Sequence, residues 1–293
     1  MSDDKPVLDW NDDCPVKIAE NVYWVGVHDV YSGTSSNSYL VLDDDEAVLI
    51  DGGSRSAFPA VTMKIIQTGI APSAIRALVF QNYNPSSCGS VAHFEAIIDR
   101  KELQIISGRT NHMFIQHFSQ SASLLSLEDV NHQFRFSSGK QLQFISTPFV
   151  HSAGSFVTFD KQSGLLFTAD LFSSSSSRWR LLFRPSSNCK VCRDLSNCPD
   201  RVEHCPIQDI LKFHQSIMAS ERALKAALDR IARVPFTAIA PQHGSIIDDA
   251  QDIVMVCELL SSLKDVGIDG IIGNKSFAEL GDMTPLRERL GKR

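Results

Sequence analysis

Gln141-Leu142-Gln143-Phe144-Ile145-Ser146-Thr147-Pro148-Phe149-Val150-His151 is a short strand-type run that stops at a proline and delivers a histidine. Alternating apolar and polar residues suit a strand buried on one face, and the proline closes it. The same arrangement returns twice downstream. Residues 164–168 form a second short apolar run, followed by Ala169-Asp170, and residues 236–240 a third, followed by Pro241-Gln242-His243-Gly244. Three predicted strand ends thus supply a His, an Asp and a His, the residue types that bind metals or fill polar cores.

Residues 22–27, 38–42, 47–50, 75–80, 103–107, 134–136 and 155–159 also have strand character, with an acidic turn at 43–45 and a second turn at 137–139. Helical spacing covers residues 58–68, 91–100, 111–118, a long stretch at 206–233 and a last amphipathic stretch at 250–266. The five serines at 173–177 predict a mobile loop. Strands and helices alternate in two halves with antiparallel hairpins included, which predicts an α/β domain with two sheets.

Composition sets the outer limits. The 293 residues carry 28 Lys and Arg against 34 Asp and Glu, a net charge of −6. That balance argues against nucleic acid or an anionic membrane surface as partner. With no apolar run near ~20 residues a spanning helix is not expected, and the polar, acidic start does not suit a signal peptide. A cytoplasmic location is the expectation.

The three segments above, in this order and spacing, resemble the second half of a metallo-β-lactamase-fold di-metal site. The flavodiiron-like, oxygen-binding di-iron (ODP) subgroup is the nearest in text, because Phe213-His214, Met218 and Ala223-Leu224 precede Pro241-Gln242-His243-Gly244 in a similar way. The resemblance implies an αββα sandwich over residues 1–266, with the site at loop ends on one edge and residues 267–293 as a tail or output segment. By carry-over, His151 and His243 each ligate one metal and Asp170 bridges the two. The other half of the family's ligand set, in the order His, acid, Asp, His, belongs in the loop after residue 80. That loop is Gln81-Asn82-Tyr83-Asn84-Pro85-Ser86-Ser87-Cys88-Gly89-Ser90. In register, Asn82, Asn84, Ser86 and Ser87 stand in the four ligand places. Amides and hydroxyls bind iron or zinc poorly beside imidazole and carboxylate. Three readings stay open: a working dinuclear site, one metal on His151, Asp170 and His243, or a former site kept as a hydrogen-bonded polar core. Cys88, on the same loop, is either a thiolate ligand or a small buried residue. No flavodoxin-like text follows residue 265, so flavin-coupled reduction within the chain is not expected.

Seven cysteines are present, and four of them, Cys189, Cys192, Cys198 and Cys205, fall within one short segment, about residues 186–206. Cys189-Lys190-Val191-Cys192 has the two-residue gap that lets two thiolates reach one centre, and Cys198-Pro199 and Cys205-Pro206 are Cys-Pro pairs of the ferredoxin kind. Four thiolates suit an iron–sulfur cluster, with 4Fe-4S expected, or zinc at the same residues. The segment looks like an insertion into the family's pattern.

Two classes of function follow. The first is a sensor or regulatory protein, responding to oxygen, nitric oxide or redox state, with a signalling partner or fused output domain and a homodimeric form. The second is a metallo-hydrolase or di-iron-type oxidoreductase on His151, Asp170 and His243. The loop at 81–90 weighs against the second, and the expectation leans away from an enzyme.

Overall fold

The computed structural model describes residues 13–29, 34–120, 124–176, 179–186, 188–189 and 205–273. Among these, seven strands form the first sheet. In chain order they are β1 (Val16–Ala19), β2 (Val22–Trp24), β5 (Tyr39–Asp43), β6 (Glu46–Ile50), β7 (Ile75–Phe80), β8 (Gln104–Ser107) and β9 (Leu124–Leu125), and each pairs with the next. The pair β3 (Val27–Asp29) and β4 (Thr34–Ser36) is a separate ribbon. The expected strand at residues 22–27 therefore breaks in two. At the break, a Cβ on Gly26 would lie 2.3 Å from the Ser36 carbonyl oxygen, so only glycine lets the chain pass.

The second sheet is β10 (Gln133–Arg135), β11 (Gln141–Ser146), β12 (Phe156–Asp160), β13 (Leu165–Phe167) and β14 (Ala238–Ala240). Residues alternate faces along each strand. Tyr39, Val41, Val48, Ile50, Ala77 and Val79 meet Phe134, Leu142, Phe144, Phe156 and Phe167 between the sheets. Leu40, Leu49, Leu78 and Phe80 face the opposite way, onto α1 (Phe58–Gln67) and α3 (Val91–Ile98), while α2 (Pro85–Cys88) and α4 (His112–Ile115) are single turns. On the far side, Val157, Phe159, Leu166 and Ile239 pack under α5 (Pro206–Ile217), α6 (Glu221–Ile231) and α7 (Ala250–Ser262). Helix, sheet, sheet, helix is the αββα sandwich that the resemblance implies.

Two expectations need correction. Residues 206–233 form two helices. Met218 is extended at ψ 147°, and Ser220 is extended at φ −166° with its hydroxyl accepting the Ala223 N–H. That hydroxyl is a favourable N-cap, which starts a new helix where periodicity alone predicts continuation. The junction is also tied across the chain, since the Ala219 N–H meets the Phe149 carbonyl and Gly267 N–H the Gln215 carbonyl. The serine run, in turn, does not begin as a mobile loop. Ser173 is fully buried, and its Oγ donates to the Ala169 carbonyl at 3.0 Å and accepts the His243 N–H at 3.2 Å. Ser177 lies outside the described residues.

The chain continues past residue 266 into α8 (Ile268–Ile272). The Ile268 N–H bonds the Ala219 carbonyl there. No helix among the described residues is long and apolar enough to cross a membrane.

Candidate functional site

Strands β6, β7 and β8 run parallel, as do β13 and β14. Their C-terminal ends deliver Asp51, Gln81-Asn82, Asp170 and Gln242-His243 to one edge of the sandwich, the usual place for a site in such sheets. The two halves are fastened there. The Asn37 side-chain amide donates to the carbonyls of Pro241 and Gly244 at 2.9 Å each, and the Tyr39 hydroxyl donates to Pro241 at 2.7 Å.

Asp170 is buried, and its Oδ2 accepts two donors: the Asn82 Nδ2 at 2.7 Å and His151 Nδ1 at 3.0 Å. A carboxylate only accepts, so His151 holds its proton on Nδ1. This hydrogen bond is the main cause of a His151 pKa above the ordinary value, with burial pulling the other way. The Asn84 amide also lies 3.3 Å from the same nitrogen. His243 faces elsewhere. Its Nδ1 meets the Ser35 carbonyl, which again requires an N–H there. His151 and Asp170 are therefore in direct contact, and His243 is anchored to the first sheet. Among the described residues, no three His, Cys, Asp or Glu side chains converge as a metal-binding group.

The loop from β7 closes the gap. Asn82 is completely buried. The Oδ1 of Asn82 accepts the Ser87 hydroxyl at 2.8 Å and the Asn84 N–H at 3.1 Å. Because a backbone N–H can only donate, the amide orientation is fixed, and Nδ2 faces Asp170 Oδ2 and, at 2.6 Å, Gln242 Oε1. All four hydrogen bonds that an asparagine side chain can make are made. A di-iron or di-zinc centre does not fit this arrangement: an N–H donor stands against Asp170, and the loop's four side chains in the ligand places, Asn82, Asn84, Ser86 and Ser87, are amides and hydroxyls.

Cys88 does not supply a thiolate. Burial, with the charge of Asp51 adding to it, pushes the thiol pKa up to about 12, and Sγ donates to the Asn84 carbonyl at 3.2 Å. Asp51 is a site residue that sequence patterns do not reveal, since Asp-Gly-Gly also marks an ordinary turn. Burial, and secondarily Asp170, raises its pKa to about 8, against the Gln81 N–H that its Oδ1 accepts at 3.3 Å. Gln242 was equally hidden, between the more conspicuous Pro241 and His243. Five non-glycine residues around Asp170 hold left-handed backbone: Asp51, Phe149, His151, Ala169 and Phe172. Such conformations cost roughly 1 kcal/mol or more each and cluster at sites.

Of the four cysteines in the inserted segment, Cys189 and Cys205 are described, and Cys192 and Cys198 lie outside the described residues. Cys189 is buried and Cys205 half-buried, both on the apolar cluster that includes Leu171, Phe172 and Ile207.

Solved structures with this fold include rubredoxin oxygen:oxidoreductase from Desulfovibrio gigas, at a TM-score of 0.68 and 19% identity over 84% of this chain and 60% of that one. The apo state of the chemotaxis sensor ODP from T. denticola matches at a TM-score of 0.64 and 22% identity, over 88% of this chain and 96% of that one. A chemotaxis sensor ODP has also been solved as a peroxy diiron species, at a TM-score of 0.66 and 21% identity, over 88% and 97%. These identities speak to the fold alone. By sequence, the Type A flavoprotein fprA of Rhodobacter capsulatus is 25% identical over 246 residues, which is 80% of this chain and 52% of the relative. The chain spans about a quarter to a half of the length of the curated relatives it matches. The family described as ODP family beta lactamase matches residues 34–244, most of the chain, and this protein belongs to that family.

Proposed function

We propose that this protein is a non-hydrolytic, metal-containing regulatory or sensor member of the ODP family. Its metal is an iron–sulfur cluster held by Cys189, Cys192, Cys198 and Cys205, and its signal is oxygen, nitric oxide or redox state. The observation that carries this reading is the Asn82 amide seated between Asp170 and Gln242, in the loop to which the resemblance assigns half of a di-metal ligand set. With that cleft closed by protein atoms, the four-cysteine segment is the chain's remaining metal-ligand cluster. The chemotaxis sensor ODP among its structural relatives supports a sensing role. A homodimer in the cytoplasm, acting on a signalling protein, completes the proposal.

The chain's own residues give such a signal a route. Cys205 caps the start of α5, and its carbonyl accepts the Asp209 N–H. One face of α5 buries Ile207, Ile210, Leu211 and His214. His214 then reaches the backbone N–H of Phe172, two residues beyond Asp170. A change in how Cys205 is held thus bears on the α5 start and, through His214, on the loop carrying Asp170. When bound, the cluster would supply the redox or gas-reactive centre.

The test is anaerobic purification with iron, sulfide and zinc analysis. The proposal expects a brown protein with about four irons and four sulfides per chain, lost in Cys189→Ala. A colourless protein with one zinc, or iron without sulfide that survives Cys189→Ala, overturns it.

A further inference from the structure

The geometry assigns to Asn82 the part of a built-in cation: its amide holds together the groups that a metal would, so this cleft is assembled without one. The hydrogen-bonding capacity of the Asn82 amide is filled. Both Nδ2 hydrogens are committed, to Asp170 Oδ2 at 2.7 Å and Gln242 Oε1 at 2.6 Å, and both Oδ1 lone pairs are committed, to Ser87 and the Asn84 N–H. The residue is completely buried, so no water competes for these bonds. Asp170 Oδ2 receives the His151 N–H as well. A cation approaching that oxygen would meet two inward-pointing hydrogens, and removing them would leave Gln242 Oε1 and Asp170 buried and under-satisfied.

The arrangement also spans the molecule. Asn82 follows β7 of the first sheet, while Asp170 and Gln242 follow β13 and β14 of the second. One amide therefore ties three loops and both sheets, which is the mechanical task of a bridging metal in a two-sheet site. The rest of the loop conforms: the Ser87 hydroxyl orients the amide, and the Cys88 thiol points to the Asn84 carbonyl and not into the cleft. This inference does not depend on what the cysteine segment holds.

Thermal unfolding of the full chain with and without millimolar manganese(II) chloride tests it. Manganese is a hard cation that carboxylates and carbonyls hold and thiolates do not favour, so it reports on the cleft and not on the cysteines. The wild-type midpoint is expected to move by less than about 1 °C. Asn82→Asp, which sets a second carboxylate against Asp170, is expected to lower the midpoint by about 5 °C or more and to recover at least half of that with manganese. A wild-type rise of about 3 °C or more with manganese that disappears in Asp170→Asn overturns the inference. So does an Asn82→Asp chain as stable as wild type without added cation. If Asn82→Asp yields no folded protein, the wild-type chain and Asp170→Asn decide: equal iron and zinc per chain is expected, and a fall of about one metal ion per chain in the variant overturns the inference.

Discussion

The Nε2 of His214 accepts the backbone N–H of Phe172 at 2.9 Å, and its Nδ1 faces the Ile210 carbonyl at 2.7 Å. A carbonyl can only accept and an N–H can only donate, so the ring must carry its proton on Nδ1 and none on Nε2. The neutral tautomer follows from the partners, and burial agrees, lowering the pKa to about 4. His214 is thus a fixed strut between α5 and the loop after β13, at the point where the backbone of Phe172 turns left-handed.

Replacing that strut should cost stability in a pH-dependent way. His214→Leu keeps an apolar side chain in the fully buried position but leaves the Phe172 N–H without a partner, for a loss of about 2–3 kcal/mol near pH 7.5. The folded pKa of about 4 lies below the ordinary 6.5, so the unfolded chain binds a proton in that interval that the folded chain refuses. The stabilisation from His214 is complete above about pH 6.5 and declines as pH falls toward 4. Urea unfolding of both chains at pH 7.5 and 5.0 checks this. The gap should narrow at the lower pH, and a gap that is constant or widens contradicts the assignment.

Asp51 behaves with the opposite sign. Its folded pKa of about 8 lies above the unfolded value, so the folded chain holds a proton that the unfolded one releases. Its contribution is full below about pH 4 and is lost as pH rises through 8. Asp51→Asn retains an acceptor for the Gln81 N–H and tolerates the left-handed φ of 54° at this residue, as asparagine commonly does. The variant should gain on the wild type steadily between pH 5 and 8.5 in thermal melts. A variant that loses ground over that range would show that Asp51 is charged and needed as such.

Much of this was legible in the sequence, and the reason is periodicity. The strands at residues 75–80 and 141–146 and the helix starting at Phe58 fall where alternation or 3.6-residue spacing puts them. His151, Asp170 and His243 stood out because each follows the end of a short strand-type run. The helix break at Met218–Ser220 was not visible, because apolar spacing continues through it and the cap on Ala223 is a local bond competing with that pattern. Asn82 could be placed by register, but not its role. Nothing in the text of residues 81–90 says that one amide will find a carboxylate 88 residues away and a glutamine 160 residues away. Such bonds depend on the closure of both sheets, which no local pattern encodes.

His151 offers a direct report on Asp170. The folded pKa is raised, so the pair contributes stability below the ordinary 6.5 and loses it as pH rises through the folded value. Imidazole NMR should give a His151 midpoint above 6.5. In Asp170→Asn the hydrogen bond to a charge is gone while burial, which lowers the value, remains. The midpoint should then fall to 6.5 or below. An unchanged midpoint would mean that the contact at 3.0 Å is not made in solution.

Ser87 and Asn82 separate orientation from bridging. The Ser87 hydroxyl donates to Asn82 Oδ1 at 2.8 Å, but that oxygen also receives the Asn84 N–H, so Ser87→Ala leaves it satisfied. The cost should be about 1 kcal/mol, the net worth of one neutral hydrogen bond. Asn82→Ala removes four bonds at once in a buried position and leaves Asp170, Gln242, Ser87 and the Asn84 N–H each short of a partner. Each such group costs about 1–3 kcal/mol, so the total should be at least about 3 kcal/mol, or no folded chain at all. Guanidinium unfolding of the two variants side by side measures the ratio. Equal losses would mean that Ser87 holds the loop itself and that the Asn82 amide is only one contact among many, whereas a several-fold larger loss for Asn82→Ala locates the junction of the two sheets at that amide.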